Sequence, residues 1–123
     1  SAALNPNGVP FKAYVKAVSA PNCGVVSDQN IDELRRVFNR KFPDKLAALE
    51  RFLSFALPSL EIVPTPTNSV EPENLIRDSK DRPILRAAIV ANVEVLVTGD
   101  RDFLESRIDI PRIMTAAEFM QQE

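Results

Sequence analysis

The sequence predicts a single α/β domain, residues 1–123, built around a parallel sheet, and three observations support this prediction. Strand-like apolar runs alternate with helical patterns, as parallel strands joined by crossover helices require. The length of 123 residues corresponds to one domain. The composition, 45% hydrophobic and 26% charged, is that of a globular chain able to bury its own core.

Apolar periodicity predicts three helices and two strands in the first half of the chain. Residues 23–27 and 60–63 are short apolar runs typical of buried strands. Ser27 or Asp28 can cap the helix that follows the first run. The helical stripes are Phe11, Tyr14, Val15 and Val18; Ile31, Leu34, Val37 and Phe38; and Leu46, Leu49, Phe52, Leu53 and Ala56.

The second half begins with a proline-rich loop, residues 64–74, and then returns to alternating elements. Asp81 followed by Pro83 indicates the start of a mostly apolar helix. Residues 93–97 predict a strand, residues 101–105 a short helix and residues 108–114 another strand. Thr115 and Glu118 form a capping box that opens the last helix.

The composition restricts the chemistry available to this chain. It contains no histidine and one cysteine, Cys23, which excludes histidine-dependent catalysis and an internal disulfide, and leaves too few ligands for a structural zinc site. Carboxylates without histidine or cysteine favour hard cations such as Mg²⁺ or Mn²⁺. The net charge of −2 provides no overall basic field, so any nucleic-acid binding must be local and metal-assisted.

Several acidic residues are expected at one edge of the predicted sheet. Ligand sites of open α/β sheets lie beyond the carboxyl ends of the strands. Asp100 and Asp102 follow a strand there, while Asp81 and Glu33 lie near the starts of helices that face the same edge. A divalent cation held by such a cluster can clamp a phosphodiester and activate water.

Each of these residues also has an ordinary structural interpretation. Asp81 can be a helix N-cap, and Glu33 can pair with Arg36. Asp100 can favour the start of the next helix, and Asp102 can be a solvated turn residue. Further candidates are Thr98, which can hydrogen-bond Asp100, and the cations Lys80, Arg82 and Arg101, which can either meet phosphate or remain solvated. Asp78 is expected at the surface or as a cap.

Two stretches of the sequence strongly resemble the PIN-domain family. Residues 80–88 (KDRPILRAA) place an aspartate before a helix of small residues, and residues 95–104 (VLVTGDRDFL) form a strand ending in Thr-Gly-Asp-x-Asp-Phe. Residues 27–37, with Glu33, and residues 112–119 are similar to the family's glutamate-bearing stretch and to its last strand and helix. The likeness is greatest to toxins of prokaryotic toxin–antitoxin pairs, related to VapC-type toxins.

The resemblance implies a three-layer α/β/α fold and a Mg²⁺- or Mn²⁺-dependent ribonuclease activity. It implies that Glu33, Asp81 and Asp100 bind or shape the metal site, that Asp102 is a weaker fourth catalytic residue and that Thr98 supports them. Lys80, Arg82 and Arg101 are the expected RNA-binding residues. A phosphate-accepting receiver-like or dehalogenase-like domain is disfavoured, because neither an early aspartate nucleophile nor the later lysine is visible.

The start of the chain departs from the family pattern. The family opens with a strand ending in Asp-x-Asn, whose aspartate is a metal ligand, whereas residues 1–8 resemble the segment after that motif. We therefore expect that the first strand is missing, that the nuclease is impaired in this chain and that self-association compensates for the lost burial. The expected partners are RNA and an antitoxin, in the cytoplasm and without a membrane. The alternative function is a non-catalytic PIN-fold module that binds an antitoxin or another protein.

Overall fold

The structure, a computed structural model, describes residues 8–122. Within them, helices and strands follow one another in the predicted order. The helices are α1 (Val9–Val18), α2 (Asp28–Lys41), α3 (Leu46–Ala56), α4 (Arg82–Val90), α5 (Arg101–Leu104) and α6 (Ala116–Gln121). The strands are β1 (Val25–Ser27), β2 (Glu61–Val63), β3 (Val95–Val97) and β4 (Arg112–Met114).

The helix ends follow local sequence signals. The Ser27 hydroxyl accepts a hydrogen bond from the Asn30 N–H at 3.2 Å and caps α2. Pro10 and Pro83 lie in the first turns of α1 and α4, where a missing N–H costs nothing. The capping box of α6 is confirmed, because Thr115 and Glu118 each accept from the other's backbone N–H.

The strands pair in parallel, as expected, but in two separate pairs. Val26 of β1 lies opposite Ile62 of β2, and Leu96 of β3 lies opposite Ile113 of β4. Within residues 8–122 no backbone ladder joins these pairs into one continuous sheet. The α/β class is thus observed, with small parallel sheets and long crossover connections.

Three apolar clusters form the core. The first is centred on Leu49, with Ile31, Phe38 and Leu53 from α2 and α3. The second joins α1 to the C-terminal elements through Ala13, Met114 and Phe119. The third, Ile76, Leu85 and Phe103, lies beside the acidic residues described below. Ile76 and Leu85 are fully buried.

The proline-rich loop is held by a buried ion pair. Both Arg86 Nε and Nη2 donate to the Glu73 carboxylate, at 2.8 and 2.9 Å, and Nη1 donates to the Pro66 carbonyl. Glu73 also accepts from the Val70 N–H. The Glu73 side chain is 4% exposed, and its hydrogen bonds satisfy it as a buried charge requires. The segment before α4 therefore has a fixed position.

The prediction of a missing first strand concerns the start of the chain, and residues 1–7 lie outside the described residues. Within the described range, no helix combines the length and the apolar character needed to cross a membrane.

Candidate metal site

The first part of the site is the turn before α4. Asp78 caps a 3-10 turn, Ser79–Asp81, by accepting from the Lys80 N–H at 3.0 Å. The predicted N-cap role of Asp81 is wrong: Asp81 precedes α4, but its backbone is already helical and its side chain caps nothing. The Asp81 carboxylate is consequently available to face other groups.

The second part follows β3. The Thr98 hydroxyl accepts from the Asp100 N–H at 3.0 Å, which fixes the backbone at the strand end. Asp100 then caps α5, because its Oδ1 accepts from the Asp102 N–H at 2.8 Å. This bond turns Asp100 towards its own backbone. Asp102, in the first turn of α5, is half-buried rather than the solvated residue that its position suggested.

The two parts meet in a group of three carboxylates. Asp78, Asp81 and Asp102 each offer one oxygen, and these three atoms lie within 4.8 Å of one another. Asp78 is exposed, and the other two are half-buried. Carboxylate oxygens from two separate elements thus lie close together near the end of β3. We call Asp78, Asp81 and Asp102 the acidic triad.

Within the acidic triad, the surroundings of Asp81 make its negative charge unfavourable. Burial is the largest cause that raises the pKa of Asp81, from its ordinary value of 3.8 to about 6. The negative charges of Asp100 and Asp78 raise the pKa of Asp81 further, as do a side-chain hydrogen bond with Asp100 and the charge of Asp102. A divalent cation would relieve this repulsion, and carboxylate oxygens are the ligands that Mg²⁺ and Mn²⁺ prefer.

One arginine contacts the acidic triad. Nε of Arg77 donates to Asp102 Oδ1 at 3.1 Å, and Nη2 donates to the same oxygen. The Arg77 side chain is 78% exposed, and that of Asp102 is 19% exposed. The guanidinium therefore extends from solvent to a single carboxylate oxygen of Asp102. Its third nitrogen, Nη1, takes no part in this ion pair.

A family model covers the segment that carries this site. A model described as PIN domain matches residues 1–102, more than four-fifths of the chain. The chain belongs to the PIN-domain family. The match includes the whole acidic triad and Asp100. No curated protein and no solved structure matches the chain significantly.

Glu33 lies outside the acidic triad of this PIN domain. Its Oε2 accepts from Arg36 Nη2 at 2.5 Å, the local ion pair that was its alternative interpretation. The hydrogen bond from Arg36 holds the pKa of Glu33 below its usual value, and the charges of Arg40 and Lys80 add to this effect. Glu33 is thus near Lys80, which belongs to the same turn as Asp81. The charged neighbours that lower its pKa are all basic: Arg36, Arg40 and Lys80.

The three cations expected to bind RNA have different surroundings. Lys80 is exposed beside Asp81. Arg82 is half-buried, and its Nε donates to the Ile76 carbonyl at 2.9 Å, so this side chain holds the loop. Arg101 is 82% exposed and pairs with Glu105 one turn along α5.

Three features escaped the sequence reasoning. Asp78 is exposed and caps a turn, as expected, but its place beside Asp81 and Asp102 was not foreseen. Its spacing of three from Asp81 could have placed both carboxylates on one side of a turn. Arg77 and the buried Glu73 had no signal in the local pattern, because their partners lie 25 and 13 residues away.

Proposed function

We propose that this PIN domain is a metal-dependent endoribonuclease that holds Mg²⁺ or Mn²⁺ through Asp78, Asp81 and Asp102. The observation that carries the proposal is the convergence of three carboxylate oxygens within 4.8 Å in a chain of this family. The raised pKa of Asp81 supports it, since crowded carboxylates are the arrangement that a divalent cation stabilises.

The residues present fit such a cation by their chemistry. All three donors are hard oxygens, and two of them are half-buried. When bound, the cation supplies charge neutralisation at the phosphodiester and an activated water. The triad holds it in place, while Asp100 shapes the site through its contact with Asp81 and Thr98 fixes the Asp100 backbone.

The nearby cations extend the proposal to the substrate. Lys80 is exposed next to Asp81, and Arg101 lies on α5 between Asp100 and Asp102. We assign both to RNA phosphates. Arg82 acts indirectly, by holding the loop through the Ile76 carbonyl. Glu33 is assigned a supporting role at the border of the site, where its charge offsets those of Arg36 and Lys80.

Cleavage of a labelled RNA in the presence of Mn²⁺, Mg²⁺ or EDTA tests the proposal. We expect cleavage with either metal and none with EDTA. Asp81→Asn and Asp102→Asn should each reduce the rate at least a hundredfold, because each removes a ligand charge. Asp44→Asn, an exposed aspartate in the turn before α3, is the matched control and should retain full activity.

Calorimetric titration with Mn²⁺ separates metal binding from catalysis. The parent protein should bind Mn²⁺, and Asp81→Asn should bind it at least tenfold more weakly. Cleavage that survives in EDTA or in both triad variants would refute the assignment, since a contaminating nuclease or another site would then be responsible.

We further propose that the nuclease is the toxin of a toxin–antitoxin pair and acts in the cytoplasm. The support is the likeness of residues 80–88 and 95–104 to that branch of the family. Induced expression should arrest growth, Asp81→Asn should not, and a protein partner encoded beside the gene should restore growth. Arrest by the asparagine variant at equal protein level would contradict a catalytic toxin.

The three-layer arrangement and self-association are part of the same proposal. Both strand pairs are parallel, and the exposed Phe55 on α3 adds apolar surface that an oligomer could cover. Light scattering coupled to size exclusion should give a mass above one chain. A stable monodisperse monomer would contradict self-association.

A binding module without catalysis is the second candidate. The observation that favours it is that Glu33 is paired with Arg36 instead of joining the acidic triad. This candidate predicts intact RNA at every metal concentration together with stoichiometric binding of a protein partner. Metal-dependent cleavage abolished by Asp81→Asn excludes it.

A further inference from the structure

Arg77 lies between two fixed neighbours, and its own side chain is mostly exposed. Ile76 is fully buried, and its carbonyl accepts the hydrogen bond from Arg82, whereas Asp78 is fixed as the cap of the next turn. The backbone at Arg77 is therefore anchored on both sides. Its side chain, 78% exposed, crosses to Asp102 on a different element.

The Arg77–Asp102 contact differs in place from the other ion pairs of residues 8–122. None of the other four includes a member of the acidic triad, although Arg101 of one of them is adjacent in sequence to Asp102, whereas this one involves Asp102 itself. The guanidinium thus supplies one positive charge where three carboxylates and Asp100 crowd together. A divalent cation at the triad would compete with it for Asp102 and would repel it.

We propose that Arg77 is a movable counter-ion arm: it holds Asp102 when no cation is present and turns to a phosphate of the RNA when the cation binds. This inference rests on the proposed function. An exposed ion pair is held weakly, and an exposed side chain reorients within nanoseconds, so release costs little. The planar guanidinium fork also matches phosphate geometry with two parallel hydrogen bonds.

A fixed structural role for Arg77 and the proposed movable role predict opposite changes in metal affinity when Arg77 is removed. If Arg77 permanently oriented Asp102 as a positioning residue, its removal would loosen a metal ligand and weaken metal binding. If Arg77 competes with the cation, its removal strengthens metal binding. For one single and one double positive charge assumed to be about 6 Å apart in a water-like dielectric, Coulomb repulsion corresponds to at most roughly tenfold in affinity, and salt screening reduces it to about threefold.

The test is Mn²⁺ titration by calorimetry of the parent protein, Arg77→Met and Arg77→Lys, without RNA. We expect Arg77→Met to bind Mn²⁺ about three- to tenfold more tightly, and Arg77→Lys to stay near the parent because it keeps the charge. Arg35→Met is the matched control: it removes an arginine from an exposed ion pair with Glu50, outside the triad, and should leave Mn²⁺ affinity unchanged.

Binding of a labelled single-stranded RNA, measured with Ca²⁺ in place of the catalytic metal, gives the second readout. Arg77→Met should weaken binding and should reduce the slope of log affinity against log salt by about 0.7, the value for one phosphate contact to a single strand.

The outcomes separate the hypotheses. Tighter Mn²⁺ binding together with a reduced salt slope supports the counter-ion arm. Unchanged or weaker Mn²⁺ binding by Arg77→Met, or an unchanged salt slope, overturns it and leaves the proposed function intact. Failure of the parent protein to bind Mn²⁺ overturns the metal site itself, and the counter-ion arm with it.

Discussion

Replacing Asp81 by asparagine removes a negative charge from the most crowded point of the acidic triad while nearly preserving the shape of the side chain. In the folded protein the pKa of Asp81 is about 6, mainly because of burial and then because of Asp100 and Asp78. The ordinary value is 3.8. The difference of about 2 units corresponds to roughly 3 kcal/mol, which solvent screening of this half-buried group reduces to about 1–2 kcal/mol.

The sign follows from the direction of the shift. Because the pKa of Asp81 is raised on folding, its ionisation costs nothing below about pH 4, destabilises the fold progressively between pH 4 and 6, and has its full effect above pH 6. Asparagine has no such cost. In EDTA, Asp81→Asn should therefore be about 1–2 kcal/mol more stable than the parent protein at pH 7.5 and nearly equal to it at pH 4.

Urea unfolding followed by circular dichroism at pH 4, 5, 6, 7 and 8 measures this difference. Asp44→Asn is the control, and its effect should stay below about 0.5 kcal/mol at every pH. Added Mn²⁺ should stabilise the parent more than the variant, which reverses their order. A variant that is less stable at pH 7.5 in EDTA, or a difference independent of pH, would refute the claim that burial and repulsion make the Asp81 charge unfavourable in the folded protein. Equal stabilisation of both proteins by Mn²⁺ would refute the claim that the metal relieves that cost.

Three further changes test the scaffold by urea unfolding of the metal-free protein. Arg86→Met strands the buried Glu73 carboxylate and should cost about 3–5 kcal/mol at pH 7.5; a loss under about 1 kcal/mol would mean that water replaces the guanidinium. The hydrogen bond from Arg86 lowers the pKa of Glu73 from 4.5. The stabilisation by this ion pair is therefore present above about pH 4.5 and is lost as the pH falls through the pKa of Glu73 in the folded protein. Glu73→Gln should reduce this loss of stability at low pH. Leu49→Ala empties a fully buried position and should cost about 2–5 kcal/mol, whereas an effect as small as a surface substitution would place the core elsewhere. Thr115→Ala removes the capping box of α6 and should cost about 1 kcal/mol, with Thr115→Ser close to the parent.

The sequence predicted the elements well because their signals are local. The apolar stripes of α1, α2 and α3 and the capping box at Thr115 depend on residues within four positions of one another. The parallel direction of the strands followed from their alternation with helices. The separation into two strand pairs did not, because hydrogen-bond neighbours are chosen by packing between distant segments.

Of the four acidic residues predicted as catalytic, the acidic triad contains two, Asp81 and Asp102. Asp78, which was expected at the surface or as a cap, is the third member. Asp78 and Asp100 each use one oxygen to cap a turn, on the Lys80 and Asp102 N–H groups respectively. The hydrogen bonds of these turns depend on backbone geometry that the positions of strand ends and helix starts do not specify.

The spacing of the acidic triad depends on apolar packing as much as on the carboxylates themselves. Asp78 belongs to a segment anchored by Ile76, Asp81 to the start of the helix that buries Leu85, and Asp102 to the turn that buries Phe103. Those three apolar residues form one core cluster. Repulsion among the carboxylates pushes the segments apart, and the burial of the cluster opposes it, because close-packed interiors resist small displacements. Packing of the cluster thereby fixes the positions of the three carboxylates, which is the preorganisation that the proposed metal site requires.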